Sequence, residues 1–235
     1  GLGASFGIPA APVREPELAL NPNIFAETWT LIRLAGRRRD IFLSILAISW
    51  FWLLGATFLA QFPAFTKEVI GADETVVTLF LTLFSVGIAL GSLLCNKILK
   101  GEVSAKYVPF GAVGMTLFVA DLYLISNGRE AALGSPMGAA TFLADPGNWR
   151  TIFDLISISV CGGLFIVPLY AILQSRAGES HRSRIIAANN VINAAFMVLG
   201  ALAATAMLAA GLTVPEIFLA LAVGNGIVAI YVCGL

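Results

Sequence analysis

The sequence predicts an all-α, polytopic membrane protein, and three observations predict it. Hydrophobic residues fill 58% of the 235 positions and charged residues only 12%, about half the charged fraction of ordinary soluble domains. The apolar residues gather into six runs, each long enough at about 1.5 Å per residue to cross a hydrocarbon core roughly 30 Å thick. The connections between runs are alternately basic and acidic, as cytoplasmic and opposite-side loops are. A soluble domain built from these runs would have almost no polar surface left. Basic and acidic residues balance at 14 each, so no net field recruits nucleic acid.

In chain order, residues 1–10 (GLGASFGIPA) are too short to cross alone and are broken by Pro9, so they read as the end of a preceding transmembrane helix. Residues 11–40 read as a cytoplasmic loop between two bundles. Within it, Asn21 to Leu34 alternates apolar and polar residues at helical spacing, which suits either a helix along the inner membrane surface or a solvated linker. The six spans are placed at 41–62, 76–99, 107–125, 151–173, 185–210 and 214–235, with Pro63 marking the exit of the first. The connection from Gly128 to Asn148 is too rich in glycine and proline to be helical throughout. A start on Gly1 and a stop at YVCGL with no polar tail are expected of a piece of a longer chain.

The basic residues set the direction. Arg14, Arg33, Arg37, Arg38 and Arg39 precede the first span, Lys97, Lys100 and Lys106 join the second to the third, and Arg176, Arg182 and Arg184 join the fourth to the fifth. Only Lys67, Arg129 and Arg150 fall on the other side, among several carboxylates. The alternation predicts a multi-pass membrane protein with both ends of the chain at or near the cytoplasm. Membrane lipids are the first expected partners.

Polar residues inside the runs are the candidates for function, because each must face protein, water or headgroups. Asp154, near the start of the fourth span, is either a coupling carboxylate or a helix cap or interface residue; Asp121 is a second candidate nearer the membrane surface. Asn189, Asn190 and Asn193 have spacings of three and four, so all three can share one stripe, either bonding a neighbouring helix or lining a cavity. Trp50, in the Trp50-Phe51-Trp52 cluster, lies deeper than the interfacial aromatic belt, and Gln61 follows at the outer end of the same run. Arg182 and Arg184 can neutralise lipid or substrate phosphate, and His181 is most simply a surface residue. Gly87, Gly91, Gly111, Gly114, Gly162 and Gly163 let helices approach closely. Cys95, Cys161 and Cys233 lie in apolar runs at no zinc or disulfide spacing. No nucleotide loop, metal cluster or nucleophile–base pair is visible, so neither a cofactor nor an enzymatic activity is expected.

Three blocks carry a resemblance: ISWFWLLGATFLAQFPAF from Ile48, VTLFLTLFSVGIALGSLLCNKILKGEVSAKYVPFG from Val77 to Gly111, and PLYAILQSRAGESHRSRIIAANNVINAAFM from Pro168 to Met197. Together they resemble the lysophospholipid transporters of the major facilitator superfamily, in the form fused to an acyltransferase in Gram-negative bacteria. The resemblance covers essentially the whole chain and implies the second six-helix half of a twelve-helix carrier. It further implies a missing first half, a fused or associated acyltransferase, and lysophosphatidylethanolamine delivered to the inner leaflet for reacylation. Asn96 to Gly101 then occupies the place of a cytoplasmic gating loop, with Lys97 and Lys100 keeping its basic character. The aspartate–arginine pattern usual there is absent, as is any His-x4-Asp acyltransferase motif, so the chain alone is expected neither to transport nor to acylate. Two alternatives stand beside this one: half of a carrier for a small soluble solute, and a membrane anchor or scaffold for a fused enzyme.

Overall fold

The computed structural model describes residues 6–7, 23–129, 131, 135–178 and 182–233. Apart from Phe6 and Gly7, the predicted tail of a preceding helix lies outside the described residues, as does His181. Six helices among the described residues are long and apolar enough to cross a membrane. Preceding them is α1 (Ile24–Gly36), started by the Asn23 side chain, whose Oδ1 accepts the Ala26 N–H at 3.1 Å. The spanning helices are α2 (Arg39–Ala64), α3 (Glu74–Leu99) and α4 (Val108–Ser126), then, after the short α5 (Ala139–Ala144), α6 (Trp149–Arg176), α7 (Arg182–Ala209) and α8 (Val214–Cys233). The chain is thus an all-α polytopic membrane protein.

Pro63 does not end the first span. Helix α2 continues through it to Ala64 and on as a π-helix over Phe65–Ile70, ending at Gly71 with φ 74°. Proline removes one backbone donor and crowds the carbonyl four residues earlier; widening the following turn is a known way to accommodate this without leaving the helix. Proline is a sound stop signal in water but a weak one inside a bundle that satisfies the freed groups. Pro168 also lies inside α6, which continues past it as an α-helix to Arg176.

The helices order around α6, which packs on α3 and α4; α4 in turn packs on α8, while α2 packs mainly on α7 and less on α6. Glycines mark the crossings. A Cβ added at Gly163 of α6 would lie 2.7 Å from the Ile88 carbonyl oxygen of α3, and one at Gly91 of α3 would strike the Val160 carbonyl of α6. On the other flank, a Cβ at Gly111 of α4 would lie 2.8 Å from the Cys161 carbonyl oxygen. These positions are backbone-to-backbone contacts, as small residues at membrane helix interfaces allow. Helix α1 lies against α7 and α2 with Ala35 buried, so part of the predicted loop is a packed helix.

Two apolar clusters divide the bundle along its length. The cluster at the end where α2 finishes is aromatic: Phe58, Phe62, Phe65, Phe80, Phe142 and Phe218 are all at most 2% exposed. At the other end, where most of the basic residues lie, the core is chiefly aliphatic, with Ile41, Ile45, Ile48, Leu169 and Leu173 among its members.

Candidate functional site

The basic end of the bundle holds a cavity of about 860 Å³, within the roughly 300–1,000 Å³ usual for ligand pockets. Helices α2, α4, α6, α7 and α8 and the α3–α4 connection all contribute to it. Its apolar wall includes Leu46, Ala47, Trp50, Leu169, Phe196 and Val228. Charged groups sit at the helix ends: Asp40 at the start of α2, Lys106 just before α4 and Arg176 at the end of α6. From Arg39 to Trp50 the helix rises about 16 Å, so the cavity reaches from the bundle's end well into the apolar region.

Its mouth is organised by one carboxylate. Asp40 Oδ2 accepts from Arg38 Nη2 at 2.9 Å and from Arg176 Nη1 at 3.1 Å, while Arg38 Nη1 donates to the Arg176 backbone carbonyl at 3.2 Å. This ties the start of α2 to the end of α6. All three side chains are a quarter or more exposed, so the tie is weak and can be exchanged rather than locked.

Deeper in, a buried amide joins three helices. Asn225 of α8, 1% exposed, donates from Nδ2 to the Ala112 carbonyl at 2.8 Å and to Thr116 Oγ1 at 2.9 Å, both on α4. Its Oδ1 accepts from Trp50 Nε1 of α2 at 3.0 Å. Trp50 is among the residues around the cavity, its indole N–H held by a partner that sequence reasoning missed. Trp52, on the next face of α2, donates to the Tyr170 hydroxyl of α6 at 2.9 Å.

The asparagine stripe divides. Asn193 faces α2, where its Oδ1 accepts from the buried Ser49 hydroxyl at 2.7 Å. Asn189 is buried too, donating to Asn190 Oδ1 at 3.3 Å while its own Oδ1 has no hydrogen-bond partner among the described residues. Asn190 is exposed: about 100° further round the helix than Asn189, it falls past the edge of the face that buries Ala188, Asn189, Ile192 and Asn193. None of the three lines the cavity. Asn193 occupies the α2–α7 contact, and Asn189 is buried one turn earlier on α7.

Other predicted residues lie elsewhere. Gln61 is buried in the opposite half of the bundle and does not reach the cavity. Lys97 and Lys100 are exposed at the end of α3, where Lys100 takes a left-handed φ of 49° as the helix closes. Arg182 is exposed and Arg184 half-buried in the first turn of α7. These four share the basic end with the cavity but are not in its wall. Asp154 lies in the interior of α6, not at its cap, with 0% exposure. Asp121 of α4 is paired with Arg150 of α6, its Oδ2 accepting from Nε at 2.9 Å.

The other end is closed. Residues 71–73 and Met137 pair through Asp73 N–H to the Met137 carbonyl and Met137 N–H to the Gly71 carbonyl, both 3.0 Å. Asp73 starts α3 by accepting from the Thr75 N–H at 2.8 Å; the Thr75 hydroxyl and N–H hold its carboxyl below the usual carboxylate range. Thr75 Oγ1 also accepts the Ala139 N–H at 2.8 Å. This lays α5 over the bundle and drives Phe142 into the aromatic cluster, 5.5 Å from Phe80 between ring centroids.

The residues sequence reasoning missed left faint signals. Asp40 is the acid that ends the Arg37-Arg38-Arg39 run, and Asn225 is an amide between two glycines in an otherwise apolar helix. No group of three or more His, Cys, Asp or Glu able to hold a metal exists among the described residues. No family model, curated protein or solved structure matches the chain.

Proposed function

We propose that this chain is part of a secondary-type carrier that moves lysophospholipids, such as lysophosphatidylethanolamine, across a bacterial inner membrane for reacylation. The observation that supports this reading is the shape of the chemistry in the cavity: charged at the helix ends, apolar from Leu46 to Trp50. An amphipath needs that gradient, because either end placed in the wrong environment is costly. A carrier for a sugar-like solute would want polar groups along the wall, and a scaffold would need no cavity. In this reading the six helices are one half of a major facilitator superfamily bundle, completed by a second half, and an acyltransferase consumes the delivered lysolipid.

Ala47 is half-buried in the apolar wall, so Ala47→Trp fills the cavity without touching Asp40 or Asn225. In nanodiscs holding the carrier that contains this chain, a fluorescent lysophosphatidylethanolamine is expected to bind saturably. Ala47→Trp is expected to weaken binding about tenfold or more, a loss of about 1.4 kcal/mol. Equal binding by the variant at wild-type yield would remove the cavity from the account.

A further inference from the structure

Asp154 has 0% exposure, and neither carboxylate oxygen has a hydrogen-bond partner among the described residues. A bare charge in that position would be uncompensated in an apolar interior. Yet a cation stands close by. Arg150 lies four residues earlier on the same helix, the spacing at which side chains meet, but its guanidinium is turned away to α4 and grips both oxygens of Asp121. Two carboxylates and one guanidinium are therefore gathered at the α4–α6 contact: Arg150 holds Asp121, while the Asp154 carboxyl lies within hydrogen-bond reach of Asp121 but has no cation of its own.

From this juxtaposition we propose that Asp154 is a proton-binding site whose occupancy selects the partner of Arg150. With the proton on Asp154, Arg150 pairs with Asp121, an exposed and exchangeable tie between α4 and α6 at the end of the bundle away from the cavity. When the proton leaves Asp154 Oδ for water, the new carboxylate competes for Arg150 across one helical turn. The guanidinium keeps its charge throughout, Asp121 loses its partner, and that one tie between α4 and α6 is released.

The ligand is a proton rather than a metal ion for two reasons. Asp154 and Asp121 make two carboxylates, no cluster of three or more candidate ligands existing among the described residues, and the neighbouring Arg150 would repel a second cation. The charged groups acting on Asp154 are Asp121 of α4 and Arg150 of its own helix. From α3, Glu74 is exposed at the first turn and Asp73 is occupied by Thr75; Lys67 and Glu68 of the π-helix are exposed. The inference holds whatever fills the cavity at the basic end.

The test is infrared difference spectroscopy on the full carrier in lipid vesicles, with aspartate isotopically labelled so that its carboxyl band separates from that of glutamate. A protonated aspartate band is expected at neutral pH that disappears as pH rises, is absent from Asp154→Asn and is kept by Asp154→Glu only as an unlabelled glutamate band. Asp121→Asn is the decisive variant. It removes the negative charge beside Asp154 and frees Arg150 for it, so the pH at which the band disappears should fall by about one unit or more, the usual effect of losing a like charge and gaining an opposite one within reach. If Asp154→Asn fails to accumulate, Asp121→Asn and Asp154→Glu still decide the matter. Absence of a titrating aspartate band in the wild type, or a midpoint unmoved by Asp121→Asn, would overturn the proposal.

Discussion

The two halves of the bundle are built from different side chains and are closed to different degrees. In the half away from the basic residues, Phe58 stacks on Phe218 with centroids 4.8 Å apart, Phe65 meets Phe218 at 5.2 Å, and Phe62 meets Phe80 at 5.8 Å. The connection carrying α5 is hydrogen-bonded over them. In the basic half, aliphatic side chains leave about 860 Å³ unfilled, and the ties across the mouth are exposed ion pairs. Large rings with few rotatable bonds fill a space from several helices at once, whereas Leu and Ile edges of separate helices leave a cleft. One half is therefore a plug and the other a vestibule.

Deleting a ring from the plug should have the largest effect. Phe58→Ala removes roughly 100 Å³ from a packed interior, and at about 24 cal/mol per Å³ of residual cavity costs about 2.5 kcal/mol. The same kind of truncation in the vestibule, Val228→Ala, enlarges a space that already exists and should cost under about 1 kcal/mol. Denaturation in mixed micelles, read by tryptophan fluorescence, compares the two. Equal losses would erase the distinction between a packed and an open half.

Between these extremes stands Asn225, at the floor of the vestibule. Asn225→Leu removes three hydrogen bonds, each worth about 0.6 kcal/mol on average in a membrane interior. It also strands the Trp50 Nε1–H. A loss of about 1–2 kcal/mol is expected, together with a change in tryptophan emission as Trp50 loses its fixed partner. Unaltered emission would mean that the amide does not set the ring.

How much of this was legible depends on the kind of information involved. Six long apolar helices were readable because length and hydropathy act locally along the chain. The extent of α2 was misjudged at Pro63, where neighbouring helices override a local stop signal. The glycine contacts were anticipated as a class, but which backbone each touches depends on helix order, which hydropathy does not carry. Asp154 stood out as a costly residue, while its relation to Asp121 and Arg150 required α4 and α6 to be adjacent. Asn189, Asn190 and Asn193 show the limit most clearly. Spacing allowed one stripe, and packing buried two of them, Asn193 against α2, and left Asn190 outside. Asp40 was hidden among arginines whose charge explained the topology without it.

The most direct measurement of the difference between the halves is thiol accessibility in oriented membranes, with Cys95, Cys161 and Cys233 changed to alanine. Ala47→Cys stands in the vestibule wall, and Thr57→Cys, at a site 4% exposed, stands on the same helix in the plugged half. A membrane-impermeant maleimide is expected to label Ala47→Cys only from the side bearing the basic connections, and lysophosphatidylethanolamine is expected to block that labelling; Thr57→Cys should stay unlabelled from either side. Labelling of Thr57→Cys as fast as Ala47→Cys, or labelling of Ala47→Cys that lysolipid leaves unchanged, would contradict an amphipath-binding vestibule backed by an aromatic plug.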